Sequence, residues 1–273
     1  MEQNKITELK ETARNIRIGI IEAVFNAKSG HPGGSLSVAD ILTYLYFEEM
    51  NVDPADPTDP MRDRLVLSKG HCSPALYSTL ANRGFFPVED LKTFRKSDSY
   101  LQGHPDLKKV PGVDMSSGSL GQGLSVACGM ALSAKMNNEE RRVYAILGDG
   151  ESEEGQIWEA AMFASHYGLN NLCAVLDWNG LQIDGPVAEV IGPAPFDTKF
   201  AAFGWNVVEI DGHDFEEIEA AFTKAKECTD KPTVIIAKTV KGKGVSFMEN
   251  NVSWHGAAPN AEQYEVAMND LKA

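Results

Sequence analysis

From residue 120 onward the chain alternates regularly between short apolar-rich runs and stretches of helical period. The runs at 143–147, 172–176, 206–210 and 233–237 alternate with helical patterns at 120–135, 156–167, 198–203, 215–227 and 262–271. A strand that is apolar at nearly every position must be covered on both faces, as in a parallel sheet with crossover helices. The expected class is therefore α/β, a parallel sheet covered by helices on both faces. Ligands of such sheets bind beyond the carboxyl ends of the strands. The residues that close each run are thus the first candidates for function.

The first 120 residues are less regular. Ile6, Leu9, Ala13, Ile16, Ile20 and Val24 recur every three or four positions, predicting an opening helix that ends near Ser29-Gly30. Ser37 stands where it can cap a second helix carrying Ile41, Leu42, Leu45 and Tyr46. Residues 51–60 hold Asp and Pro too densely for a regular element, 64–67 read as a short strand presenting Ser68 to His71, and 74–82 as a helix. Residues 97–117 lack periodicity, and ordered loops of that length are often functional. Without a repeat, low-complexity tract or linker, one domain over residues 1–273 is the simplest organisation.

The formal net charge of −14 disfavours a grip on nucleic acid or an anionic membrane. An acidic chain that handles phosphates must concentrate cations locally, and Lys69, Lys238, Lys241 and Lys243 are the candidates, with Lys238 read as solvated. Cys72, Cys128, Cys173 and Cys228 form no C-x-x-C pair, which argues against structural zinc and for reduced thiols; Cys72 reads as a small packed side chain. The N-terminus lacks a cationic segment leading into an apolar one, and no stretch approaches the roughly 18 apolar residues of a membrane span. The expectation is a cytoplasmic protein with no membrane and no nucleic-acid partner.

Two phrases carry the chemistry. Gly148-Asp149-Gly150 closes one strand-like run, and Asp177-Trp178-Asn179-Gly180-Leu181 closes the next, with Asn179 thirty residues beyond Asp149. A carboxylate and an amide oxygen from neighbouring strand ends are hard ligands for Mg²⁺ or Ca²⁺. Gly148 and Gly150 let the backbone approach phosphate oxygens, and a following helix N-terminus would supply N–H donors. Alone, a Gly-Asp-Gly turn more often satisfies its own backbone; the pair favours a cation clamped on a diphosphate. The glycine-rich 118–123 segment fits neither a P-loop nor a dinucleotide fingerprint. Four of the six histidines, His31, His71, His104 and His255, stand in glycine- or proline-flanked loops, whereas His166 and His213 occupy positions typical of structural histidines. Neutral imidazoles gathered in loops suit proton transfer near pH 7.

Together with Ser29-Gly30-His31-Pro32-Gly33, Leu67-Ser68-Lys69-Gly70-His71, Gly103-His104-Pro105, Gly118-Ser119-Leu120-Gly121-Gln122-Gly123 and Trp254-His255-Gly256-Ala257, these phrases resemble the transketolases, thiamine-diphosphate enzymes. The resemblance covers the diphosphate-binding, N-terminal half of that family. It implies thiamine diphosphate, with Mg²⁺ (or Ca²⁺) held by Asp149, Asn179 and the Leu181 carbonyl, and a Gly150 N–H given to the diphosphate. It further implies the Gly118 carbonyl and Leu120 against the aminopyrimidine, His31 and His104 on substrate hydroxyls, and His71 and His255 on diphosphate or substrate. Glu154, and less so Glu159, match an acidic cluster at the subunit interface beside the cofactor-activating glutamate. That glutamate and the pyrimidine-binding domain would come from a C-terminal transketolase subunit in an α2β2 assembly. The implied reaction moves a two-carbon ketol unit between sugar phosphates. Gly33-Gly34-Ser35-Leu36 also resembles the deoxyxylulose-phosphate synthases, so a synthase-like or 2-oxo-acid-decarboxylating subunit is the alternative, and a non-catalytic cofactor-binding or regulatory protein is a third.

Overall fold

The structure, a computed structural model, describes residues 1–273. Five parallel strands, β1 (Arg64–Leu67), β2 (Val143–Gly148), β3 (Leu172–Trp178), β6 (Asn206–Asp211) and β7 (Thr233–Lys238), form one sheet in the order β1-β2-β3-β7-β6. Two further strands, β4 (Leu181–Gln182) and β5 (Gly185–Pro186), make a small antiparallel hairpin beyond the end of β3. The helices are α1 (Gln3–Ala27), α2 (Pro32–Ser37), α3 (Ala39–Tyr44), α4 (Ser73–Arg83), α5 (Gln122–Met136), α6 (Gly155–His166), α7 (Val187–Val190), α8 (Phe196–Ala202), α9 (Phe215–Glu227) and α10 (Ala261–Lys272).

Strand residues alternate between two cores, as the two-residue period of a strand requires. Leu65, Leu67, Tyr144, Ile146, Cys173, Val175, Ile235 and Ala237 face α1, α3, α4 and α9. Val66, Val143, Ala145, Leu147, Leu172, Ala174, Leu176, Val234 and Ile236 face α5, α6 and α8. Both faces are therefore covered, and the expected α/β layering holds. Deleting a large side chain from the first core, such as Phe222 stacked on Tyr44, would cost roughly 3–5 kcal/mol.

The opening helix ends where its period fails, at Lys28 in the left-handed region. Gly30 follows with φ +150, where a Cβ would lie 2.8 Å from the Val24 side chain, so the turn that presents His31 needs glycine. The next segment differs from expectation. Ser37 caps nothing: it ends α2, and its hydroxyl donates to Asp177 at 2.6 Å. Gly33 and Gly34 mask α2 in the sequence, because glycine disfavours helix unless packing compensates, and all six residues of α2 are buried. Residues 45–49 continue α3 as a π-helical turn. The helix after Asp149 starts within a residue of the expected 156 but does not follow Asp149 directly. A 3-10 turn (Gly150–Glu153) intervenes, and α6 begins only at Gly155, with Glu154 in the capping position. No helix is long and apolar enough to cross a membrane.

Candidate functional site

β2 and β3 are neighbours in register, Gly148 opposite Asp177, so Asp149 and Asn179 emerge side by side at the carboxyl edge of the sheet. Asp149 is 3% exposed. One carboxylate oxygen accepts the Gly150 N–H at 2.8 Å and the other the Gly180 N–H at 2.6 Å. Burial, then the nearby Asp177 charge, push its pKa up to about 6. The Asn179 amide donates to Asp177 at 3.0 Å, while its oxygen accepts the Leu181 N–H at 3.2 Å. The Gly150 N–H is thus turned onto the neighbouring carboxylate in this structure, because the helical φ of −63 at Asp149 brings its side chain back over the following amide.

The Leu181 carbonyl, carried on the β4–β5 hairpin, accepts from the Lys241 ammonium at 2.8 Å, and that ammonium also lies 3.0 Å from His255 Nδ1. Lys241 is 2% exposed, and burial lowers its pKa from the ordinary lysine value. Of the four candidate lysines it alone meets the expected metal ligands. Lys69 is bound to Asp177 (2.5 Å) and to the Gly34 carbonyl (3.0 Å), Lys238 pairs on the surface with Glu209, and Lys243 lies 3.7 Å from Glu249.

His31, His71 and His255 form a triangle with ring centroids 5.1, 5.3 and 5.5 Å apart. Burial, then the neighbouring positive groups, lower the pKa of His31 and His71 to about 4 and that of His255 to about 3, so all three are neutral at pH 7. His31 Nδ1 is buried with no hydrogen-bond partner, an unsatisfied polar atom of the kind found at ligand sites.

The cavity at this edge, about 270 Å³, is lined by His31, His71, Gly118, Leu120, Gly148, Asp149, Gly150, Asn179, Leu181 and His255 among others. The candidates that do not line it are His104 and Glu154. His104 stands exposed behind Gly118. That glycine has φ +151, and a Cβ on it would come within 3.0 Å of the imidazole, so the two are in close contact. Glu154 is exposed and packs on Gly121, and Glu159 is exposed as well. His166 is exposed at the end of α6 and is not a core histidine. Cys72 is fully buried, as expected, and burial raises its thiol pKa.

Sequence reasoning missed Glu151, which lines the cavity and is 3% exposed. Its carboxylate accepts from the Ser68 hydroxyl (2.5 Å), the Gly121 N–H (2.9 Å) and the Gly148 N–H (3.0 Å), tying three site turns together. The available signal was an acid directly following Gly-Asp-Gly. Gln182 and Ile183 of the hairpin, also lining, left no signal at all.

The donor set suits a hard divalent cation: a buried carboxylate without a lysine or arginine partner, a carboxamide oxygen, and a carbonyl that already receives a cationic nitrogen. The arrangement places a candidate ligand site at the carboxyl edge of a parallel α/β sheet. Residues 9–271 match the family described as "Transketolase, thiamine diphosphate binding domain". The chain belongs to this family. It is 46% identical over 265 residues to a 6-deoxy-6-sulfo-D-fructose transketolase subunit from Clostridium sp. (strain MSTE9), covering 97% of this chain and 96% of that one. It is 43% identical over 267 residues to an apulose-4-phosphate transketolase subunit from Phocaeicola vulgatus, covering 98% and 95%. The crystal structure of Campylobacter jejuni transketolase superposes with a TM-score of 0.92 at 37% identity, covering 98% of this chain and 43% of that one. The chain therefore matches these two subunits over nearly all of their length and spans less than half of that longer transketolase.

Proposed function

We propose that this chain is the thiamine-diphosphate-binding subunit of a transketolase, active in an α2β2 assembly with a C-terminal transketolase subunit that carries the pyrimidine-binding domain. The carrying observation is Asp149, buried beside Asn179 and Leu181 without a cationic side chain paired to it. Asp149, Asn179 and the Leu181 carbonyl would hold Mg²⁺ (or Ca²⁺). The cation would join the chain to the diphosphate, with Lys241 a second positive charge at the same place. Thiamine diphosphate, when bound, supplies the electron sink for cleaving and forming the ketose carbon–carbon bond. His31, His71 and His255, neutral at pH 7, would accept or donate protons at substrate hydroxyls, and His104 would reach the substrate from behind Gly118. Glu154, on the open surface, would meet the partner subunit rather than the cavity. Relatives named for a sulfo-sugar and a sugar phosphate support an anionic ketose as donor. The free thiols Cys72, Cys128, Cys173 and Cys228 fit a reducing, cytoplasmic setting.

The test is reconstitution. The purified chain with thiamine diphosphate and Mg²⁺ should give no ketol transfer, and adding the partner should produce it. Turnover by the chain alone would overturn the two-subunit reading. A reconstituted pair that consumed pyruvate but no ketose phosphate would overturn the transketolase reading.

A further inference from the structure

His213 lies outside the cavity, just before the residue that caps α9, yet its ring is held at both nitrogens. Nδ1 is 2.7 Å from an Asp40 oxygen, and Nε2 accepts the Val240 N–H at 2.9 Å. A ring nitrogen that accepts from an amide carries no proton, so the other donates: the ring is the neutral Nδ1–H tautomer, oriented by Asp40. Asp40 is itself anchored. Burial alone would raise its pKa, but the Arg17 guanidinium, bonded to it at 3.0 and 2.5 Å, together with His213 holds it down at about 2.

Val240 immediately precedes Lys241. The segment leaving β7 is pinned along its backbone: Thr239 N–H to the Trp178 carbonyl (3.1 Å), Val240 N–H to His213 and Gly242 N–H to the Gly33 carbonyl (2.9 Å), while the Val240 carbonyl accepts from the Lys243 N–H (3.2 Å) and the Lys241 carbonyl from the Asn250 N–H (2.9 Å). Of these five restraints, only the one on the Val240 N–H uses a side chain. The Lys241 ammonium must reach both the Leu181 carbonyl and His255 from a buried backbone position. Releasing the Val240 N–H would free the Thr239–Val240 peptide to rotate, and the shift passed on to Lys241 would draw the ammonium off both.

We propose that His213 is a positioning residue, fixing Lys241 through the Val240 amide so that the lysine meets the Leu181 carbonyl and His255, and thereby setting the affinity of the cation–diphosphate site. The inference rests on the proposed function, because it takes Lys241 to serve that site.

Two substitutions separate the halves of the ring. His213→Asn keeps a donor near Asp40 but cannot reach Val240, whereas His213→Gln can place an acceptor near the Nε2 position. Calorimetric titration of thiamine diphosphate with Mg²⁺ into the reconstituted complex should show uptake weakened roughly tenfold by His213→Asn and within about twofold of the parent for His213→Gln. The double variant His213→Asn with Lys241→Met should bind no worse than Lys241→Met alone, since both act through one group. If Lys241→Met leaves uptake unchanged, the site reading beneath the inference fails. If Lys241→Met weakens uptake but the Asn and Gln variants behave alike, the positioning role fails and the site reading stands. A readout independent of any ligand is the long-range ¹⁵N–¹H spectrum of His213 in the chain, where an Nε2–H tautomer would overturn the proposal.

Discussion

The ends of β2 and β3 each bury a carboxylate, and the two are treated in opposite ways. Asp177, fully buried, receives the Lys69 ammonium at 2.5 Å and the hydroxyls of Ser37 (2.6 Å) and Thr239 (2.5 Å). Burial alone would raise its pKa, but Lys69 and these donors hold it below the usual carboxylate range. Asp149, almost as buried, has two backbone N–H donors and no lysine or arginine paired to it, and its pKa rises to about 6. A buried charge persists when it is paired. Asp177 is accordingly a joint between chain segments, and Asp149 is a carboxylate still short of a cation.

Breaking the joint should have the largest effect. Asp177→Asn leaves the Lys69 ammonium buried without its counter-charge and should cost roughly 3–5 kcal/mol in denaturant unfolding. A loss below about 1 kcal/mol would erase the distinction between the two carboxylates. Asp149→Asn should do the reverse. Unfolding stability of the unliganded chain should stay within about 1 kcal/mol of the parent or rise, because a poorly compensated charge is removed. Mg²⁺-dependent uptake of thiamine diphosphate should instead fall about a hundredfold, about 2.8 kcal/mol.

The smallest effect is on pH dependence. His31, His71 and His255 have folded pKa values depressed to about 4, 4 and 3. The unfolded chain takes up protons below about pH 6.5 that the folded one refuses, so stability is lost as pH falls from about 6.5 towards 4. His71→Gln should remove about 1 kcal/mol of that loss at pH 5.5, after discounting for partial exposure. Asp149 has the opposite sign. Its raised carboxyl binds a proton in the folded state as pH falls through about 6, offsetting part of the loss, so Asp149→Asn should steepen the acid limb of the stability curve.

Much of the molecule is readable along the chain because the physics is local. Apolar residues at nearly every position of the central strands report two covered faces, a three-to-four-residue period reports a helix, and glycines flanking Asp149 report a tight turn. The helix α2 was hidden because Gly33 and Gly34 lower local propensity, and burial of the whole segment overrides it. The β4–β5 hairpin was hidden because two-residue strands carry no period.

The sequence by itself determined the parallel layered class, the adjacency of Asp149 and Asn179 at strand ends, and the set of loop histidines. Only the tertiary structure decided which charges are spoken for. Lys69 answers Asp177 across 108 positions, Ser37 reaches the same carboxylate across 140, and Lys241 reaches Leu181 across 60. It likewise left His104 and Glu154 outside the cavity and brought Glu151 to its wall. Periodicity and turn chemistry act over a few residues and leave a mark in the order of amino acids. The pairing of buried charges is settled by which strand ends meet in space, and that is written only in the folded chain.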